Sequence, residues 1–281
     1  MLRKTGILGY PLGHSISPHF QNAAFEFSGI RASYSAWPTE PKNLSDKVDT
    51  LRETSFMGAN VTIPYKEAVI ELLDEIDDWA EKIGSVNTIV NDCGTLVGYN
   101  TDAVGFIQAI SKYGNYDPAG ESVLLIGAGG ASRAAAHALV GNNVGTLVIA
   151  NRTYDRAEKL AAEFSNKDKV SPISLNGPSF LKAVDSASLI INSTSMGMKH
   201  TSLEDGNPLE GISVKRGVLV NDMVYNPLRT PMLIHAAERG AKILTGLPML
   251  VLQGAASFNL WTGAEAPVDV MFSAAQGAMA D

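Results

Sequence analysis

The chain has 281 residues, 45% of them hydrophobic, a net charge of −7 and one cysteine. That length favours two domains sharing a cleft, with enough apolar residues for a core in each. The acidic balance without a basic run excludes nucleic acid as a partner; the lone Cys93 excludes an intrachain disulfide framework and reads as a small core residue; no apolar run approaches a bilayer span or a leader segment, so a cytoplasmic protein away from membranes is expected.

In the first third, short apolar segments alternate with helical patterns. A strand at 6–9 is followed by a helix over 18–28 that Gly29 stops, a strand at 32–36, a helix near 44–53, a strand at 58–63 and a helix over 67–82. Two strands at 87–92 and 94–99, joined at Cys93-Gly94, read as a hairpin closing the edge of the sheet. Such alternation argues for an α/β layer fold with a mostly parallel sheet. A helix over 103–113 runs into the turn-rich segment 114–120, which marks a boundary. Strands at 123–126, 146–150, 188–192, 217–221 and 241–244 then build a Rossmann half. The last two helices, 247–261 and 267–280, have no sheet of their own and are expected to pack back on the first domain. The fold class is therefore α/β with two domains: an N-terminal substrate domain, residues 1–102 with 247–281, and a Rossmann dinucleotide-binding domain, residues 103–246. Gly105 and the bends near 245–247 are the expected hinges of the cleft.

The strand at 123–126 breaks into Gly127-Ala128-Gly129-Gly130-Ala131 ahead of an alanine-rich helix. Glycine turns the chain tightly and lets backbone N–H groups approach a pyrophosphate where a Cβ would collide. Ser132 holds the third glycine position of G-x-G-x-x-G, and its small side chain still permits close helix–strand packing. The next strand ends in Asn151-Arg152-Thr153, where NAD-binding proteins place an acid for the ribose 2′-hydroxyl. A carboxylate there would repel a 2′-phosphate, whereas Arg152, with Arg156 one turn on, can pair with it, so the cofactor indicated is NADP. The plainer alternative is a strand-to-helix turn followed by solvated arginines.

Four polar clusters end strands or open helices, where open α/β sheets bind ligands. In His14-Ser15-Ile16-Ser17-Pro18, Ser17 reads as an N-cap and Pro18 as the first helical residue. Free N–H groups with two hydroxyls beside them suit a carboxylate, although Ser17 as a simple cap and Ser15 as a turn residue explain the pattern equally well. Asn60 and Thr62 share one face of a strand, and Lys66 is expected in the first turn of the following helix. A helix N-terminus opposes a cation and favours the neutral amine, the direction wanted for proton exchange, while surface lysines also occur in first turns. Asn87 and Asp102 fall at strand ends, where they can hydrogen-bond a polyol; for Asp102 alone, capping the next helix is the competing role. No metal is expected.

Together these spacings resemble shikimate dehydrogenases over almost the whole chain. The matching motifs are His14-Ser15-x-Ser17-Pro18, Asn60-Val61-Thr62-x-Pro64-x-Lys66, Val86-Asn87-Thr88, Asn100-Thr101-Asp102, the glycine loop, Asn151-Arg152-Thr153, Asn192-x-Thr194-x-x-Gly197-Met198, Asp222-x-x-Tyr225-x-Pro227 and Gln253. The resemblance implies that Lys66 is the general acid/base paired with Asp102. It also implies that Ser15 and Ser17 hold the substrate carboxylate, and that Asn60, Thr62, Asn87, Asp102, Tyr225 and Gln253 surround the rest of the substrate. Residues 127–131 would cradle the NADP pyrophosphate, Asn151 to Arg156 the 2′-phosphate, and Thr194, Met223 and Gly246 the nicotinamide side, with Asp78 at the cofactor edge. The implied reaction is reversible NADPH-dependent reduction of 3-dehydroshikimate to shikimate, a step of aromatic amino acid and chorismate biosynthesis. Two departures stand out. Gln21 replaces a common His, a change peripheral to the chemistry, and Pro248 replaces a Gly beside the nicotinamide wall. The competing expectations are a broader quinate/shikimate dehydrogenase using NAD or NADP, and a non-catalytic NADP-binding module. A homodimer through an edge strand is compatible with the sequence and not required by it.

Overall fold

The computed structural model describes residues 2–13, 15–166 and 168–279, so His14 lies outside the described residues. The chain forms two compact units, Met1–Gly105 with Val251–Asp281, and Phe106–Leu250.

The first unit opens with β1 (Arg3–Gly9), α1 (Ser17–Phe27), β2 (Ala32–Pro38), α2 (Leu44–Thr50) and β3 (Gly58–Val61). It continues through β4 (Glu75–Ile76), α3 (Asp78–Ile83), β5 (Thr88–Asp92), β6 (Thr95–Tyr99) and the start of α4 (Asp102–Lys112). The sheet order is β2-β1-β3-β5-β6-β4. Pairing is parallel across β2-β1-β3 and β6-β4, and antiparallel at β3-β5 and β5-β6.

The helix expected over 67–82 does not form. Turns follow Lys66, and Glu75–Ile76 instead pairs with Val97 and Gly98 as an edge strand, so the hairpin is not the sheet's edge. Asp74 pins this segment by accepting from the Leu96 amide at 2.7 Å and from Arg52, a tertiary anchor that overrides local helix propensity. A single 3₁₀ turn forms at Ile70–Leu72, and α-helix returns at α3, where the Asp77 carboxylate caps the Trp79 amide. Cys93 is exposed, not in the core: with φ 53° it forms the two-residue hairpin turn with Gly94, which demands positive φ at both places. One face of the sheet carries Leu8, Val48, Leu51, Ala59, Val69, Ile89 and Leu96 as a buried cluster.

The second unit follows α4 with β7 (Ser122–Ile126), α5 (Gly130–Gly141), β8 (Thr146–Asn151), α6 (Tyr154–Ala162), β9 (Val170–Ser174) and α7 (Pro178–Ser186). Then come β10 (Leu189–Asn192), β11 (Leu219–Asp222), α8 (Pro231–Glu238) and β12 (Lys242–Leu244). All six strands are parallel in the order β12-β11-β10-β7-β8-β9, the dinucleotide-binding arrangement of two mononucleotide halves. Strand β9 is absent from the strands expected from the sequence. Its Pro172 breaks the apolar pattern, which is tolerated because β9 is an edge strand. Leu124, Ile126, Phe180, Ile190, Val220 and Leu233 pack between sheet and helices.

The chain ends in α9 (Leu247–Thr262) and α10 (Val268–Gly277). Within the first unit α10 packs on α1, and Phe258 of α9 meets Phe25 of α1 at 5.3 Å between ring centres. Among the described residues, no helix is long and apolar enough to cross a membrane, and no group of His, Cys, Asp and Glu could hold a metal ion.

Candidate active site

Lys66 follows β3 in a turn that its own carbonyl ties down by accepting from the Val86 amide at 2.8 Å. With no α-helix starting there, the expected macrodipole effect on this amine is absent. Its Nζ lies 2.5 Å from Asp102 Oδ2, and the two side chains are 17% and 8% exposed. Asp102 is the first residue of α4 but does not cap it. Asn100 does, its Oδ1 accepting from the Asp102 and Ala103 amides. The carboxylate is thereby left for Lys66 on one oxygen and the Asn87 amide on the other, at 2.9 Å.

A buried polar network stands behind this pair. Asn87 Nδ2 also lies 2.9 Å from Thr101 Oγ1 and 3.2 Å from Gln253 Oε1, while its Oδ1 accepts from the Thr101 amide. The hydroxyls of Thr88, Thr101 and Ser257 sit within 3.2 Å of one another. Asn60 Nδ2 donates into that cluster, and Asn60 Oδ1 accepts from Tyr34 at 2.8 Å. Asn60 is only 5% exposed and both ends of its amide are engaged internally, so its geometry is that of a support for the site. Thr88 and Thr101 stand in the sequence motifs without an assigned role, whereas Tyr34 and Ser257 carry no motif signal; Ser257 lies one helical turn after Gln253, the i+4 spacing that shares a helix face.

At the start of α1 the structure corrects the capping assignment: Ile16 holds the N-cap position and Ser17 is the first helical residue. Ser15 Oγ accepts from the Ser17 amide at 3.4 Å, and the Ser17 side chain hydrogen-bonds Tyr34. Burial pushes the Tyr34 phenol well above its usual pKa, partly offset by Ser17, so Tyr34 stays a neutral donor to Asn60. Thr62 is half-buried beyond β3, and among the described residues its hydroxyl has no hydrogen-bond partner. Gln21 is less peripheral than its sequence position implied: fully buried, it donates to the Gly254 carbonyl at 2.8 Å, next to Gln253. Gly105 lets α4 approach α9, since a Cβ there would lie 2.7 Å from the Gln253 nitrogen. Asp78 is exposed at the start of α3.

In the second unit, Gly127 has φ +119°, and a Cβ on it would meet Ser193 Oγ at 2.5 Å. The loop closes through Ser132, which is buried, accepts from the Gly129 amide at 3.0 Å and lies 2.7 Å from Ser193 Oγ. Space above Gly129 is open, and the loop delivers the chain to the N-terminus of α5 at Gly130. With Ala128 and Ala131, this is a small-residue cradle at a helix start, and it fits a pyrophosphate. At the end of β8, Asn151 Nδ2 donates to the Thr153 carbonyl, and Arg152 and Arg156 are exposed with no ion pair among the described residues. Two free guanidinium groups fit a phosphate monoester. Thr194 is held by Asn192, Gly246 lies against the Met223 and Val224 backbone, and Pro248 occupies the first turn of α9, where its missing N–H costs nothing. Tyr225 is half-buried, and burial raises its pKa.

Three family descriptions match along the chain: the shikimate dehydrogenase substrate binding domain at residues 7–89, shikimate / quinate 5-dehydrogenase at 109–210, and the shikimate 5′-dehydrogenase C-terminal domain at 246–276. The chain belongs to the shikimate dehydrogenase family. It is 45% identical to the NADP(+) shikimate dehydrogenase of Moorella thermoacetica, over 94% of this chain and 90% of that one. The shikimate dehydrogenase of Thermus thermophilus, solved with NADP(H) and shikimate, superposes with a TM-score of 0.85 at 37% identity, covering 98% and 99% of the two chains. A quinate dehydrogenase of Corynebacterium glutamicum, solved with NAD, has the same TM-score of 0.85 at 31% identity, covering 98% and 99%. Shikimate dehydrogenase relatives thus account for both units of this chain.

Proposed function

We propose that the protein catalyses the reversible reduction of 3-dehydroshikimate to shikimate with NADPH, in the cytoplasm, as a step of aromatic amino acid and chorismate biosynthesis. The observation that carries this reading is the Lys66–Asp102–Asn87 constellation, a partly buried amine held by a carboxylate that an amide orients. When bound, NADPH supplies the hydride to the carbonyl carbon. Lys66 gives a proton to the oxygen in reduction and recovers it in oxidation, and Asp102 holds the amine in place for both directions. Ser15, Ser17 and the N-terminus of α1 take the carboxylate, while Thr62, Asn87, Asp102 and Gln253 meet the ring hydroxyls, with Tyr225 near the substrate. Residues 127–131 take the pyrophosphate, Asn151, Arg152, Thr153 and Arg156 the 2′-phosphate, and Thr194, Met223 and Gly246 the nicotinamide side. The substrate domain in this reading is 1–102 with 247–281, and the cofactor domain is 103–246.

NADP is favoured over NAD because β8 ends in Asn151-Arg152-Thr153 with no acid among them, and Arg152 and Arg156 have no ion pair among the described residues. The 45% identity to an NADP(+) shikimate dehydrogenase, against 31% to a quinate dehydrogenase, supports shikimate over quinate. A pure NADP-binding module has no use for a lysine–carboxylate pair of this kind. A four-way assay of shikimate and quinate with NADP and NAD tests the whole reading. Shikimate with NADP is expected to give the highest kcat/KM, and binding of NADPH without turnover on any such acid would overturn it.

A further inference from the structure

Asp222 ends β11 with no exposed surface, and its partners among the described residues are all neutral. Its Oδ1 accepts from the Asn192 amide and the Val224 N–H, both at 3.0 Å, and its Oδ2 accepts from the Thr230 hydroxyl at 2.6 Å. A carboxylate buried without a cation is costly, and a neutral amide would pack in the same volume. What distinguishes the carboxylate is that, ionised, it accepts only. Facing it, Asn192 must turn its NH₂ toward Asp222 and its carbonyl oxygen away. That oxygen accepts from both the amide and the hydroxyl of Thr194, at 3.1 and 2.7 Å. With its proton committed to Asn192, the Thr194 oxygen faces the Met196 amide and accepts from it at 3.1 Å. On the other side Thr230, having donated to Asp222, accepts from the Leu233 amide as the N-cap of α8. Every bond in the chain runs with one polarity: Asp222 imposes it from one side, and the Met196 carbonyl, which accepts from the same Asn192 NH₂ at 3.2 Å, and the Thr194 N–H hold it from the other. Asn192 and Asp222 are directly paired in the sheet register, and the Asn192 carbonyl also receives the Met223 amide.

We propose that Asp222 is a positioning residue: acting through Asn192, it fixes the Thr194 hydroxyl and the loop from Thr194 to Met198, and with them the wall against which the nicotinamide is read. This rests on the assignment of Thr194 and Met223 to the nicotinamide side.

The test uses the full-length enzyme and its Asp222→Asn variant, with binding of NADPH and of adenosine 2′,5′-bisphosphate measured by calorimetry alongside steady-state kinetics. The bisphosphate carries the adenosine and 2′-phosphate without the nicotinamide. Asp222→Asn is expected to weaken NADPH binding and lower kcat, each by about tenfold, roughly one hydrogen bond to a charged group. Bisphosphate affinity stays within twofold of the parent. The exchange Asn192→Asp with Asp222→Asn restores an acceptor facing Thr194 and is expected to recover most of both losses. Thr194→Val breaks the far end of the relay without touching Asp222, and its effect is expected not to add to that of Asp222→Asn. Equal loss of bisphosphate and NADPH affinity, additive effects, or an Asp222→Asn enzyme with parental NADPH affinity and kcat would each overturn the proposal. A parent that binds the bisphosphate but gains nothing from the nicotinamide half would instead overturn the nicotinamide-side assignment.

Discussion

At the scale of single residues, Lys66 and Asp222 show opposite uses of a buried ionisable group. Lys66 has its counter-charge at 2.5 Å and keeps 17% of its side chain exposed, as the proton-transfer role proposed for it requires. Positioned proton donors contribute about 10²–10⁴-fold to rate, so Lys66→Ala is expected to lower kcat by that factor while NADPH affinity, measured by calorimetry, changes little. A comparable loss of NADPH affinity would remove Lys66 from the proton-transfer role. Among the described residues Asp222 has no counter-charge, and burial raises its pKa from 3.8 to about 6. Between those values the folded state keeps a proton that the unfolded chain releases, so stability falls as pH rises from 4 to 6 and is level above that. The full difference is on the order of 3 kcal/mol, and Asp222→Asn should lack this fall when denaturant midpoints are compared from pH 4 to pH 7. Parallel curves for the two proteins would show that Asp222 ionises freely. Lys66 was legible because its motif is contiguous. Tyr34 and Ser257 were not, because their shared partner Asn60 lies 26 residues from one and 197 from the other.

At the scale of elements, the sequence read well wherever periodicity and a stop signal agreed. Helix α1 with Gly29 after it, the β5–β6 hairpin and the β7–α5 turn all formed close to their expected bounds. It misread elements whose state is decided by a distant neighbour: β4 exists because β6 offers a free edge, and β9 because β8 does. The start of α1 shows a subtler case. The expected helix forms there, but Ser17 is held by Tyr34 of β2 instead of serving as the cap, which presents the Ser15 and Ser17 hydroxyls beside the N-terminus of an 11-residue helix. If these hydroxyls bind the carboxylate equally in ground and transition states, the double variant Ser15→Ala with Ser17→Ala raises KM for shikimate by about tenfold or more with kcat nearly unchanged. An unchanged KM would place the carboxylate elsewhere.

At the scale of the whole molecule, alternating strands and helices were enough to give the fold class, because parallel sheets need crossover helices and the Rossmann order follows from them. Net charge was informative in another way. A chain at −7 repels both NADPH and a carboxylate substrate at long range, so anion binding must be arranged locally, against the average field. In the function proposed above, Arg152 and Arg156 are that local arrangement for the 2′-phosphate, and both are exposed, so salt reaches them. Screening shortens from about 8 Å at physiological ionic strength to about 3 Å at 1 M. Salt therefore has two opposed effects: it relieves the repulsion felt by any nucleotide and weakens the attraction felt only by a 2′-phosphate. Comparing NADPH with NADH largely cancels the first, because both carry the pyrophosphate. The NADPH preference, taken as the ratio of the two dissociation constants, is accordingly expected to shrink several-fold between about 0.05 and 0.5 M salt. In the Arg152→Ala, Arg156→Ala variant it should be small and flat. A preference that persists unchanged at high salt, or survives loss of both arginines, would mean that the phosphate is read by groups shielded from solvent.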